Sequence, residues 1–202
     1  AAGFFIPMSV GITVLLEKAQ KEADHHKIQS VISSALSFAA ILGLFSTAFA
    51  LAITPGYIWQ VVTPEEIKEN TTVFFRYFSL TLTPILFFSI TTTILISLGE
   101  QKGPVLSEIS ALALHIGFSY IFVGLFGWDI RGIAISAIIA QMTGSLINLH
   151  LVLQRRKTFL SSAPKRLDRG IIREMFTDQK HLIFTAALGG VFAVFLQYYI
   201  DL

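Results

Sequence analysis

Residues 77–154 read YFSLTLTPILFFSITTTILISLGEQKGPVLSEISALALHIGFSYIFVGLFGWDIRGIAISAIIAQMTGSLINLHLVLQ, and this stretch decides the fold. It holds three runs free of Asp, Glu, Lys and Arg, at 77–99, 109–128 and 132–154. As helices rising about 1.5 Å per residue, such runs cross a hydrocarbon layer of roughly 30 Å. A spanning segment finds no water for its backbone groups, so it is either a helix or a strand of a closed barrel. Barrel strands last only about ten residues and alternate in character, whereas these runs are far longer and apolar on all sides. The connections Gly99–Pro104 and Gly127–Gly132 are tight, so the three helices are antiparallel neighbours.

Working outward, 31–64 and 181–200 are equally free of charge, and Gly3–Leu16 resembles a span whose beginning is missing. Over all 202 residues, 53% are hydrophobic and 14% charged, against about 25% charged in soluble domains. The expected fold is therefore all-α: a polytopic transmembrane helix bundle of about six spans. The chain opens on Ala1, already apolar, and stops directly after its last span. With no basic n-region before a cleavage site, it reads as an interior piece of a longer protein. The absence of cysteine excludes disulfides, thiolate metal sites and cysteine nucleophiles.

The loops orient the bundle. Twelve basic residues fall on one side: Lys18, Lys21, Lys27, Lys102, Arg155, Arg156, Lys157, Lys165, Arg166, Arg169, Arg173 and Lys180. Only Lys68, Arg76 and Arg131 fall on the other. Positive residues stay cytoplasmic, which places the loops holding Lys68 and Arg131 outside. In the first of these, Pro55-Gly56 marks a loop, and Thr63 is placed to cap a short helix with Pro64 at its first position and Glu66 three residues on. Residues 155–180 read as a basic cytoplasmic linker between the helices of 1–154 and the first helix of a following lobe at 181–202. Within the linker, Leu167–Phe176 is either a short amphipathic helix on the membrane surface or plain solvated loop.

Some residues inside the spans stand out. Gly132, Ser136, Ala140 and Gly144 recur every fourth position, with Asn148 next on that face. Small residues so spaced let another helix approach closely, which is a packing signal. Pro84, near the middle of its span, is expected to kink it. His115 lies in an uncharged run with Ser119 one turn on, and Gln141 is a weaker polar candidate. An ionisable group at that depth faces protein or a water-filled cavity, and a histidine there can exchange a proton near neutral pH. The other reading is a neutral histidine bonded to a neighbouring helix. Glu108 is near enough to a helix end to reach the interface. There is no HExxH, P-loop or GxSxG, and His25-His26 have no third ligand nearby. No enzyme activity, cofactor, metal or nucleic-acid partner is expected.

From Tyr77 to Lys157 the chain resembles the multidrug and toxic compound extrusion (MATE) family of the multidrug/oligosaccharidyl-lipid/polysaccharide flippase (MOP) superfamily. A Tyr opens a span with a central Pro84. A turn of the family's Gly-Asp-x-Lys-x-Pro type follows as Gly99-Glu100-Gln101-Lys102-Gly103-Pro104. An aromatic-Gly turn comes next, Phe126-Gly127, and then Ile130-Arg131-Gly132-Ile133-Ala134-Ile135-Ser136 opens the next helix in the manner of the family's Gly-x-x-Gly-Ala-Ala. Asp24-His25-His26-Lys27 stands where the family has a Gly-Ala-Gly-Asp turn, without its glycines. Where many members carry an Asn and, four residues later, an Asp associated with proton coupling, this chain has His115 and Ser119.

The resemblance implies one lobe, the amino-terminal one, of a two-lobe transporter in the cell membrane. Its partners would be the lipid bilayer, a small organic substrate, a coupling cation (H+ or Na+) and the missing second lobe. Its activity would be cation-coupled antiport exporting amphipathic organic compounds by alternating access. A lipid-linked saccharide flippase of the same superfamily is the alternative. That function asks for a more cationic cavity to hold pyrophosphate, and the spans offer only Arg76. A membrane-embedded enzyme or structural subunit would need convergent ionisable residues or a long extramembrane domain, and neither is visible.

Overall fold

The computed structural model describes residues 2–61, 65–158 and 168–177. Among them the secondary structure is entirely helical: α1 (Ala2–Lys21), α2 (His25–Val61), α3 (Glu65–Ser79), α4 (Leu82–Ser97), α5 (Lys102–Ser119), α6 (Asp129–Thr158) and α7 (Arg169–Thr177). A π-helical turn, Tyr120–Leu125, continues α5. Four helical stretches are long and apolar enough to cross a membrane: His25–Trp59, Ile67–Ser97, Lys102–Leu125 and Asp129–Arg155. Gly3–Leu16 falls in α1, and 181–200 lies outside the described residues. The chain divides into two compact units, one with α1, α2 as far as Ala35, and α7, the other running from Leu36 to Thr158.

In the first unit, Ile12, Leu16, Ala19, Ile28 and Val31 are buried. The turn after α1 places Ala23 at φ 52°, and Asp24 Oδ1 caps α2 by accepting the Lys27 N–H at 2.9 Å. His25 and His26 thus open a helix instead of lying in a loop. The segment expected either on the membrane surface or as loop forms α7, whose Met175 is packed against α1. Met175 is fully buried, and a Cβ added at Gly11 of α1 would run into the Met175 carbonyl oxygen. Asp168 caps α7 through the Gly170 N–H at 2.8 Å. Its own N–H donates to Ser34 Oγ at 3.1 Å.

Three expectations need correction in the second unit. Pro55-Gly56 is no loop: α2 runs through it to Val61. In lipid an interrupted helix strands backbone polar groups, so continuation past a proline is the better outcome. The helix expected to be short after Thr63 is also different. Its first residues lie outside the described range, but from Glu65 it continues as α3 to Ser79, into the span itself. The bend in that span is at Leu80–Thr81 rather than at Pro84, because a proline ring clashes with the carbonyl four residues before it, here that of Leu80. Tight turns bridge the break, from Leu80 N–H to Tyr77 O at 3.0 Å and from Thr81 N–H to Phe78 O at 2.9 Å.

Both tight connections turn on a glycine in the left-handed region, Gly99 at φ 81° and Gly127 at φ 67°, where a side chain is disfavoured. They fold α4, α5 and α6 back on one another, and α6 packs against α3, α4 and α5. Helix α5 has two characters. Leu106, Ile109, Leu112, Ile116 and Tyr120 are exposed, as suits a lipid-facing side. Ser107 and Ala111 are buried toward the bundle.

Candidate functional site

Gly132, Ser136, Ala140, Gly144 and Asn148 lie along the side of α6 that meets its neighbours. A Cβ on Gly132 would sit 2.9 Å from Phe122 Cβ. One on Gly144 would sit 3.1 Å from Phe88 Cε2 and 3.2 Å from Ala111 Cβ. Ser136, Ala140 and Asn148 are buried. Glycine at these points brings α6 close enough for short polar side chains to bond across the interface.

Those bonds form two clusters. In the first, Ser136 Oγ lies 2.6 Å from Ser119 Oγ, 3.0 Å from His115 Nδ1 and 2.7 Å from the Ile133 carbonyl. The single Ser136 proton can go to a neutral imidazole nitrogen. It can also go to the carbonyl while Ser136 Oγ accepts from a protonated Nδ1. The arrangement therefore gives Nδ1 a partner whether or not that nitrogen carries a hydrogen. In the second cluster, Asn148 Oδ1 accepts from Ser107 Oγ at 2.6 Å, and Asn148 Nδ2 donates to Thr92 Oγ1 at 2.8 Å. Together these bonds join α4, α5 and α6. Ser107 and Thr92 carried no signal in the sequence beyond being polar within apolar runs.

Between α4, α5 and α6 opens a cleft of about 690 Å³. Its polar lining includes Ser89, Thr92, Thr93, Glu108, His115 and Gln141, and its aromatic lining Phe78 and Phe88. Among the described residues no Lys or Arg lines it. His115 and Gln141 thus face one cavity, from α5 and α6. Ser119 reaches His115 only through Ser136. Pro84 is not among the lining residues; its carbonyl lies 2.5 Å from Ser145 Oγ, which ties α4 to α6.

At the end of the bundle with the basic loops, Glu100 forms an ion pair with Arg155 at the end of α6. Its other oxygen accepts the Gly103 N–H at 3.2 Å. The Arg155 guanidinium, helped by the Gly103 N–H, holds the Glu100 carboxyl below the ordinary carboxylate range.

Comparison with known proteins places this geometry. The outward-facing conformation of a multidrug resistance MATE family transporter of the MOP superfamily superposes with a TM-score of 0.83 at 17% identity, over 96% of this chain and 44% of that one. The inward-facing conformation gives 0.80 at 17%, over 91% and 42%. A MOP superfamily transporter from Pyrococcus furiosus Vc1, described by the reverse polarity of its binding pocket, gives 0.78 at 16%, over 96% and 44%. This chain thus spans less than half the length of these structures. No curated protein sequence matches it. The fold is that of the matching part of the MOP superfamily transporters.

Within that class, the family model for the lipid II flippase MurJ matches residues 4–201, and the chain belongs to this family. The MATE resemblance thus resolves to the superfamily. Its motifs are turn glycines and small residues at helix contacts, which serve the shared fold and do not distinguish substrates.

Proposed function

We propose that residues 1–154 form the amino-terminal lobe of a flippase that moves the head group of a lipid-linked saccharide across the membrane by alternating access. Residues 155–180 would be the inter-lobe linker and 181–202 the first helix of the second lobe. Membership of the lipid II flippase family carries this reading. The cleft agrees with it in chemistry, since hydroxyl, amide and imidazole groups suit saccharide hydroxyls and Phe78 and Phe88 offer apolar faces. The test is reconstitution of the full-length protein in liposomes holding a lipid-linked saccharide with a fluorescent head group. The expected result is faster exposure of the head group to an external quencher than in protein-free vesicles. No acceleration in correctly folded protein would reject the reading.

A second reading, cation-coupled export of amphipathic organic compounds, is favoured by one observation: His115 lines the cleft, and its Nδ1 lies 3.0 Å from the Ser136 hydroxyl, which can either donate to that nitrogen or accept from it. Under this reading, Ser119 and Gln141 belong with it to the substrate and cation pathway. Efflux of a lipophilic dye driven by an imposed pH gradient, without head-group movement, would replace the first reading with this one.

A further inference from the structure

At the end of the bundle away from the Glu100–Arg155 pair, a second cleft of about 370 Å³ is lined by Leu51, Val73, Arg76, Tyr77, Leu80 and Arg131. It brings together two arginines far apart in sequence, one from α3 and one from the first turn of α6. Among the described residues no carboxylate lines it and neither guanidinium forms an ion pair. The remaining cation here, Lys68, is already engaged: it lies 3.8 Å from Glu65 and 5.3 Å from the centre of the Trp59 ring. Glu65 and Glu69 line a neighbouring cleft with Arg76, and Asp129 lines another with Arg131. Acidic groups therefore flank the arginines without entering the space they share.

Two cations in one cleft repel each other, more strongly next to lipid than in water. A bound anion relieves this. Guanidinium groups favour phosphate, whose oxygens take paired N–H bonds, and the Tyr77 hydroxyl is a further donor. The loop charges place this end outside, and the arginines lie in or at the start of membrane-crossing stretches, near the depth of lipid phosphates. The apolar lining by Leu51, Val73 and Leu80 suits an acyl or prenyl chain leaving the head group.

We propose that Arg76, Arg131 and Tyr77 form a binding site for the phosphate of a lipid head group that carries net negative charge. The proposal does not depend on the flippase reading, because an ordinary anionic phospholipid and a lipid-linked diphosphate present the same chemistry. It is tested with the full-length protein in detergent, titrated with a polyprenyl diphosphate, phosphatidylglycerol or the zwitterionic phosphatidylcholine, with bound lipid counted by native mass spectrometry. Losing one charge-assisted bond weakens binding by about tenfold or more, and that loss is expected for Arg76→Gln/Arg131→Gln. Loss for the diphosphate alone assigns the site to a lipid-linked substrate, and loss for phosphatidylglycerol alone to a membrane phospholipid. Unchanged binding of both, or an equal loss for phosphatidylcholine, overturns the proposal. Arg131 is exposed, so Arg131→Gln alone reads out the same loss if the double variant does not fold.

Discussion

Two of the clefts in the second unit solve opposite problems. The one between α4, α5 and α6 is lined by hydroxyls, an amide and an imidazole, with Glu108 the only acidic group and no Lys or Arg among the described residues. The one beside α3 is lined by two arginines, one tyrosine and apolar side chains. Neutral polar groups can be kept within a bundle because each finds a partner on the facing helix, as Ser107, Thr92 and Asn148 do. Guanidinium groups have no such economy at depth, and these two stand where α3 and α6 approach the end of the bundle away from Arg155. The first cleft depends on how closely the helices approach, the second on where the charges stand. The two should therefore respond differently to mutation.

The largest effect is expected from Gly144→Leu. The added side chain meets Phe88 and Ala111, both already within 3.3 Å of a bare Cβ, and should cost about 3 kcal/mol or more. The check is the yield of monodisperse protein in detergent, with Ile138→Leu, off the stripe, expected to be normal. Full yield for Gly144→Leu would mean that the first cleft does not need close approach. Asn148→Leu should cost less, about 1–2 kcal/mol in thermal unfolding, because Ser107 retains the Pro104 carbonyl at 2.8 Å as an acceptor while Thr92 loses its partner. Arg76→Gln, which leaves the first cleft untouched, should leave the melting temperature unchanged.

His115→Gln sharpens the comparison differently. It preserves hydrogen bonding to Ser136 but cannot titrate, so membrane levels should hold while any pH dependence of transport flattens. An unchanged pH profile would leave His115 as a packing residue. The smallest effect is expected from Glu100→Gln. A carboxylate held below its ordinary range stabilises the fold above the unfolded-state pKa. That stabilisation is lost as pH falls through the lower, folded-state value. Wild-type protein should thus lose a slight stability advantage over the variant on acidification, with no difference between them at the acid extreme. A constant gap at every pH would show that Arg155 is not acting through charge.

The sequence by itself determined the class of this protein, its helices and their turns. Uncharged runs of span length leave the backbone little choice but helix, and Gly99 and Gly127 mark where the chain can reverse. Those features are local, so they survive without a structure. Tertiary structure decided the rest. Pro55 looked like a loop and lies inside a helix, because neighbouring turns and lipid favour continuing it. Pro84 was expected to kink its span and does so four residues earlier, where its ring excludes a carbonyl. The spacing of Gly132, Ser136, Ala140 and Gly144 announced a contact, but not that the facing groups would be Phe122, Phe88 and Ala111. Nothing in the chain's order joins Asn148 to Thr92 and Ser107, or Arg76 to Arg131. Such pairs exist only once antiparallel helices set residues 41 to 56 positions apart side by side, a juxtaposition that depends on packing and not on local propensity.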